Sequence, residues 1–290
     1  MLDFIKKLFS PITATLGFIQ NHFKAMIFLL ILFLIFAPGE DEGFKPNNLQ
    51  QITLKGPIFD ATKTVEELDA ARENSHIKGV LVDLDSPGGA VAPSIEIAYA
   101  IKRLQAKKPV IVYSSGMLAS GGYYAAIWAD EIIANPGAMV GSIGVIMQGA
   151  NLSELMDKIG VKTQVVKAGR YKQVGTADRE WTPYERNELN KVIQGTYTMF
   201  VNDVASARKL DPEKSAHYAN AHIFTAAQAK EAGLIDNVAV GYDAKKRVEK
   251  LSGVEAATWN KEDKFEKFFR QLGAEGSLLL HTYFPALTLR

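Results

Sequence analysis

Hydrophobic positions along this chain alternate between short apolar runs and stretches with the period of a helix. Gly79-Val80-Leu81-Val82-Asp83-Leu84 is nearly continuous and rich in β-branched residues, the pattern of a parallel strand covered on both faces. Gln51–Leu54, Pro109–Tyr113, Glu131–Ala134, Thr163–Val166 and Leu234–Asp236 read the same way, and Ile143–Met147 is a further run after a glycine-rich bend. Helical spacing recurs from Pro93 to Lys107, through Ile97, Ala98, Ile101 and Leu104, and again from Leu152 to Ile159. Capping boxes mark two more helix starts. Thr64-Val65-Glu66-Glu67 predicts a helix to about Asn74. Thr182-Pro183-Tyr184-Glu185, with proline at the first helical position, predicts a long one to about Lys209. Thr225–Ala232, closed by Gly233, and Tyr242–Leu251 complete the helices. Such regular alternation predicts an α/β fold with mostly parallel strands.

The two ends depart from this pattern. Ala25–Ala37 is a run of thirteen uncharged apolar residues, short of the roughly 20 that a bilayer needs. Phe18, Ile19 and Phe23 extend it if His22 and Lys24 reach for the interface. It ends in Ile35-Phe36-Ala37, bulky where leader cleavage requires small residues, so an uncleaved anchor is expected. Lys6, Lys7 and Lys24 precede it and Glu40-Asp41-Glu42 follow, which keeps the amino end cytoplasmic. The chain therefore divides into a cytoplasmic segment 1–24, an anchor 25–38, a linker 39–49, an α/β body 50–253 and a tail 254–290. In the tail Phe265, Phe268, Phe269 and Leu272 follow helical spacing before a final apolar stretch.

Composition removes several classes of function. Of 290 residues 47% are hydrophobic and 22% charged, as in packed globular proteins, and a net charge of +1 gives no electrostatic basis for nucleic-acid binding. The absence of cysteine excludes disulfides, thiolate metal sites and cysteine nucleophiles. No glycine loop has phosphate-binding spacing, and Asp83 and Asp85 read as turn caps, so neither cofactor nor metal is expected.

Two glycine-rich turns carry the candidate chemistry. Ser120, set among small residues after the strand ending at Tyr113, sits where a strand turns into a helix, as a nucleophile would. Asp85-Ser86-Pro87-Gly88-Gly89 ends the strand before it and can bring a second backbone N–H to the same point. A serine needs a base, and none of His22, His76, His217, His222 and His281 lies in a glycine-rich strand-end loop, which weakens a histidine triad. Lysine is the other option, because a desolvated amine can accept a proton. Lys172, in Gly169-Arg170-Tyr171-Lys172, follows a strand, although an exposed loop lysine would look the same.

The ordered series is more specific than any one motif. Asp85–Gly89, Ser115-Gly116-Met117-Leu118-Ala119-Ser120-Gly121-Gly122-Tyr123-Tyr124, Asn135-Pro136-Gly137-Ala138-Met139-Val140-Gly141-Ser142-Ile143-Gly144-Val145 and Gly169–Lys172 together resemble the signal peptide peptidase A family, over roughly residues 50–250. The resemblance implies a Clp-protease/crotonase-like repeated β-β-α superhelix behind a membrane anchor. It implies Ser120 as nucleophile, Lys172 as general base, Ser142 orienting the lysine, and an oxyanion hole at Gly88, Gly89 and Gly121. It also implies a bacterial inner-membrane peptidase facing outward, acting on apolar peptides such as cleaved signal-peptide remnants. The short, single-copy form would be a homo-oligomer whose subunits complete one another's sites. A crotonase-type acyl-CoA enzyme would need an acid or base that no glutamate close after Gly88-Gly89 supplies, and a silent membrane scaffold would not need all three site side chains.

Overall fold

Five parallel strands form the main sheet: β1 (Leu49–Lys55), β2 (Gly79–Asp85), β3 (Val110–Ser114), β5 (Glu131–Ala134) and β8 (Asn237–Val238), in the spatial order β1-β2-β3-β5-β8. A second sheet holds β4 (Met117–Ala119), β6 (Met139–Gly141) and β7 (Ile223–Thr225), with β4 and β6 parallel and β7 antiparallel to β6. Among residues 46–260 the α-helices are α1 (Thr62–Glu73), α2 (Val91–Gln105), α3 (Gly121–Ala126), α4 (Ser153–Lys158), α5 (Pro183–Arg208), α6 (Ser215–Tyr218), α7 (Ala226–Glu231) and α8 (Gly241–Leu251). This computed structural model describes residues 18–30, 32 and 46–260. Its contacts divide the chain into one unit made of Met1–Lys45 with Lys261–Arg290 and another made of Pro46–Asn260.

The pleat explains why the central strands are largely apolar on both faces. Val80, Val82 and Leu84 of β2, Val110 and Val112 of β3, and Ile132 of β5 point into the larger core with Ile97, Ile101 and Leu104 of α2. Their alternates Leu81, Ile111 and Ile133 enter a second core closed by Ala244 and Val248 of α8. Burying each such side chain contributes about 1.5–3 kcal/mol, so both faces of the sheet are stabilised. Residues 254–260 close the unit: Trp259 bridges to Leu49, and Asn260 exchanges hydrogen bonds with Gln51.

Several sequence expectations change. Helix α1 begins at Thr62, not Thr64, because the Asp60 carboxylate accepts from both the Thr62 amide (2.9 Å) and hydroxyl (2.7 Å). Thr64 is no cap and is buried inside the helix. Neither Thr163–Val166 nor Ile143–Met147 is a strand. Each has an apolar pattern but no neighbouring strand among the described residues to complete a ladder, and Val166 is fully exposed. Leu234 and Ile235 are buried ahead of the last ladder, which starts only at Asn237.

At the amino end residues 18–30 are helical. Among the described residues no helix is long and apolar enough to cross a membrane. Residues 31 and 33–38 of the expected anchor, and the expected tail helix from Lys261 onward, lie outside the described residues.

Candidate active site

Ser120 stands at the junction of β4 and α3 with φ 52° and ψ −126°, a conformation that L-residues avoid. The pairing of β4 with β6 holds it there: Ala119 lies opposite Gly141, and the Ser120 amide donates to the Gly141 carbonyl at 2.8 Å. Ser142 continues the register and shares the same strain at φ 52°. Its amide donates to the His222 carbonyl at 2.7 Å. The two serines thus leave neighbouring strands at the same end. Backbone strain of this kind, of order 1–3 kcal/mol per residue, persists only where surrounding contacts impose it.

The second turn comes from the end of β2. Gly88 adopts φ +100°, and a Cβ there would lie 2.7 Å from the Ser120 Cβ and 2.8 Å from the Gly121 nitrogen. Gly89 is packed so closely that its Cβ would fall 2.1 Å from the Ile58 carbonyl oxygen. Ile58 clamps this turn from both sides, donating to the Gly88 carbonyl (2.9 Å) and accepting from the Ala90 amide (2.7 Å). The Gly88 amide is occupied by the Ser86 hydroxyl at 3.1 Å. The amides of Gly89 and Gly121 have no acceptor among the described residues. A Cβ on Gly121 would lie 3.3 Å from the Gly89 nitrogen, so two free donors converge beside the Ser120 side chain. Gly88 serves by its conformation, and Gly89 and Gly121 are the available N–H groups.

Beside them opens a cleft that includes Gly89, Ser120 and Gly121 in its lining. Val91 and Ile95 of α2, Val145 and Ile146, and Met199 and Phe200 of α5 make most of its remaining surface apolar. Tyr124 also lines it and donates to the Asp203 carboxylate. Burial, then the bond to Asp203, pushes the Tyr124 hydroxyl well above its ordinary pKa, so it stays protonated and is no base. Asp85 holds the β3–β4 turn by accepting from the Met117 amide at 2.7 Å.

Lys172 is placed differently. It lies in the irregular, exposed stretch between α4 and α5, its amide donating to the Gly169 carbonyl at 3.3 Å. It does not line the Ser120 cleft, and its amine has no hydrogen bond or ion pair among the described residues. The chain brings together Ser120, Ser142, Gly88, Gly89 and Gly121, and leaves Lys172 outside. His217 lies in α6 and His222 just before β7, where His222 serves through its carbonyl. Ile58, Ser86 and the Asn220-Ala221 turn were not legible as site supports. Their contacts are long-range and their types ordinary; only the asparagine hints at the left-handed turn it makes.

A serine in a strained backbone conformation beside two unengaged backbone donors is an arrangement suited to acyl transfer by a serine hydrolase. Comparison with known proteins narrows the class. The sequence profile of Peptidase family S49 matches residues 102–255. A Synechocystis sp. protein bearing a protease name is 40% identical over 198 residues, 68% of this chain and 69% of its own length. An Enterococcus faecium protein bearing the name signal peptide peptidase SppA is 29% identical over 233 residues, 75% of this chain and 67% of its own. A solved ClpP1 chain from Listeria monocytogenes aligns with a TM-score of 0.47 and 17% identity, covering 67% of this chain and 92% of that one. This chain belongs to peptidase family S49, the signal peptide peptidase A family, and is a serine peptidase.

Proposed function

We propose that the protein is a membrane-anchored endopeptidase in which Ser120 is the nucleophile and Lys172 of a neighbouring copy is the general base. The observation that carries this reading is the division of the chemistry. Ser120 and its two free donors are fixed by turns packed against the core, whereas the one candidate amine stands exposed with no partner among the described residues. A lysine base needs a dry surrounding, and an exposed turn gains one only when another surface covers it.

In this mechanism the neutral amine takes the Ser120 proton as Oγ bonds to the peptide carbonyl carbon. The oxyanion is held by the Gly89 and Gly121 amides, each worth about 3 kcal/mol by the usual cost of losing such a donor. Collapse expels the amine of the departing peptide, which takes the proton back from the lysine ammonium. Water then attacks the acyl-enzyme with the same lysine as base, releasing the acid and free Ser120. Ser142 is assigned the orienting hydrogen bond to the lysine. The apolar walls of the cleft favour apolar peptides such as remnants of cleaved signal peptides. Residues 1–24 are assigned to the cytoplasm of a bacterial cell and the peptidase unit to the outer side of its inner membrane.

Complementation tests the reading. Ser120→Ala and Lys172→Ala should each lack peptidase activity. Co-refolded at equal amounts they should regain about a quarter of wild-type turnover, since a random ring pairs an intact serine with an intact neighbouring lysine at that frequency. No recovery, with both variants correctly assembled, refutes pairing between copies. Undiminished turnover by Lys172→Ala alone refutes lysine as the base.

A further inference from the structure

Lys172 is exposed, yet the turn that carries it is docked with care. On its amino side the Arg170 guanidinium lies 4.4 Å from the centre of the Tyr184 ring, and the Tyr171 and Tyr184 rings meet edge to face at 5.7 Å. On its other side Gln173 accepts from Arg179 at 3.4 Å, and Arg179 forms two 2.8 Å hydrogen bonds to Glu185. Tyr184 and Glu185 are consecutive residues of the first turn of α5. That turn is fixed in its own right, because Glu185 also accepts from the Thr182 amide and hydroxyl at 2.9 Å each. Trp181 donates to the Thr176 carbonyl at 2.7 Å, tying the far end of the loop to the same point.

Glu185 is the decisive residue. It is fully buried, although neither apolar core includes it and the segment around it is largely exposed. A buried ion pair is weak evidence for stability, since desolvation of the charges offsets their attraction. Its partners all belong to the segment that carries Lys172 or to the helix cap beside it. Within residues 167–179 the other cations are engaged: Arg170 on Tyr184, Arg179 on Glu185, and Lys167 on Gln173 at 3.4 Å. Lys172 alone of them presents an amine with no partner among the described residues.

We infer that the first turn of α5 is a seat for the Lys172 turn, with Glu185 as its positioning residue acting through Arg179 and Gln173, and Tyr184 as the second point of attachment. This inference rests on Lys172 being the base. It makes the reach of the amine toward a reacting serine a property of the α5 cap, and not of the exposed loop alone.

The test uses the full chain, assayed on a fluorogenic peptide amide and on a peptide p-nitrophenyl ester whose activated acyl group keeps slow variants measurable. Glu185→Gln should lower kcat on the amide roughly 10- to 100-fold with little change in KM, as expected for a displaced catalytic group. Arg179→Lys, which keeps the charge but loses the fork, should fall between it and wild type. In a Lys172→Ala background, Glu185→Gln should cause no further loss on the ester. An equal loss with and without Lys172 would mean that Glu185 acts elsewhere and would overturn the inference. So would folded Glu185→Gln and Arg179→Lys proteins with wild-type kcat. If Glu185→Gln does not fold, Arg179→Lys and Tyr184→Leu carry the same cycle with Lys172→Ala. Failure of the base assignment itself is seen separately, as Lys172→Ala retaining amide hydrolysis.

Discussion

The strand ends around Ser120 and the stretch from Ile143 to Thr182 are built on opposite plans. The strand and helix that flank Ser120 pack into the core, with Leu118, Tyr123, Ala125 and Ala126 all at 0% exposure, and Gly88, Gly89 and Gly121 allow tight approaches there. From Ile143 to Thr182 the described chain has a single short helix, and Ile146 (82%), Ile159 (64%) and Val166 (104%) face outward. Folding of one chain fixes Ser120 and the free Gly89 and Gly121 amides, the groups proposed as nucleophile and oxyanion donors. The segment with the amine keeps apolar surface that this chain does not cover, which is how a site finished by association would look.

The sharpest way to break this contrast is to disturb the finished half. Gly88→Ala forces a side chain into φ +100° and within 2.7 Å of Ser120, while leaving the Lys172 segment untouched. We expect peptidase turnover to fall by at least ~100-fold, as when one oxyanion donor is lost. The melting temperature should drop by about 2–8 °C, from ~1–2 kcal/mol of left-handed strain. Turnover within twofold of wild type would show that the Gly88-Gly89 turn does not shape the hole.

The unfinished half is tested by making its outer surface unsuited to burial. Val166→Asp combined with Ile159→Asp places charges on side chains that face solvent within one chain. Such surface changes alter monomer stability by only about 0.5 kcal/mol. We expect sedimentation velocity to show smaller species and peptide hydrolysis to drop about tenfold or more, because a charge buried at an interface is strongly unfavourable. An unchanged assembly with full activity would remove this face from the proposed interface.

Much of this contrast was legible in the sequence, and its limits have physical reasons. The strands β2, β3 and β5 announced themselves because both faces are buried and most positions had to be apolar. Helix α5 was marked by Thr182, Pro183 and Glu185, whose cap bonds are local. Ser120, Gly89 and Gly121 were visible because a tight turn needs small residues at fixed positions. Thr163–Val166 failed as a strand since a ladder requires a partner, which no local pattern reveals. The strands β4, β6 and β7 have three residues each, too few to show a period. The docking of Gly88-Gly89 on Ile58 depends on residues far apart in the chain, which local patterns do not link.

A gentler probe is acid. Arg179, and then the Thr182 amide, hold the Glu185 carboxyl down at about 2, from an ordinary 4.5. A carboxylate with a depressed pKa stabilises the fold above its unfolded value and loses that contribution as pH falls toward its folded one. The Ile143–Thr182 stretch should therefore become protease-sensitive between about pH 4.5 and 2, ahead of the two cores. Glu185→Gln should show that sensitivity at neutral pH. Limited proteolysis with mass mapping reads both, and identical acid profiles for variant and wild type would disprove the linkage.

The smallest effect concerns the turn behind Ser142. Asn220 and Ala221 are consecutive left-handed residues, at φ 57° and 58°. The Ala221 amide donates to the Ile143 carbonyl at 2.9 Å, and the next residue, His222, accepts from Ser142. This turn therefore holds Ser142 in its own strained conformation from across the sheet. Glycine at 221 would relieve about 1–2 kcal/mol of strain, offset by roughly 0.4–1 kcal/mol of added freedom in the unfolded chain. Ala221→Gly should thus raise the melting temperature by about 0–6 °C and leave kcat unchanged, since its hydrogen bonds are backbone bonds. Ala221→Val, β-branched and unable to adopt this conformation cheaply, should instead loosen Ser142 and lower kcat. If valine lowers stability but leaves kcat intact, Ser142 does not depend on this turn, and its strain must be imposed by Gly141 and β6 alone.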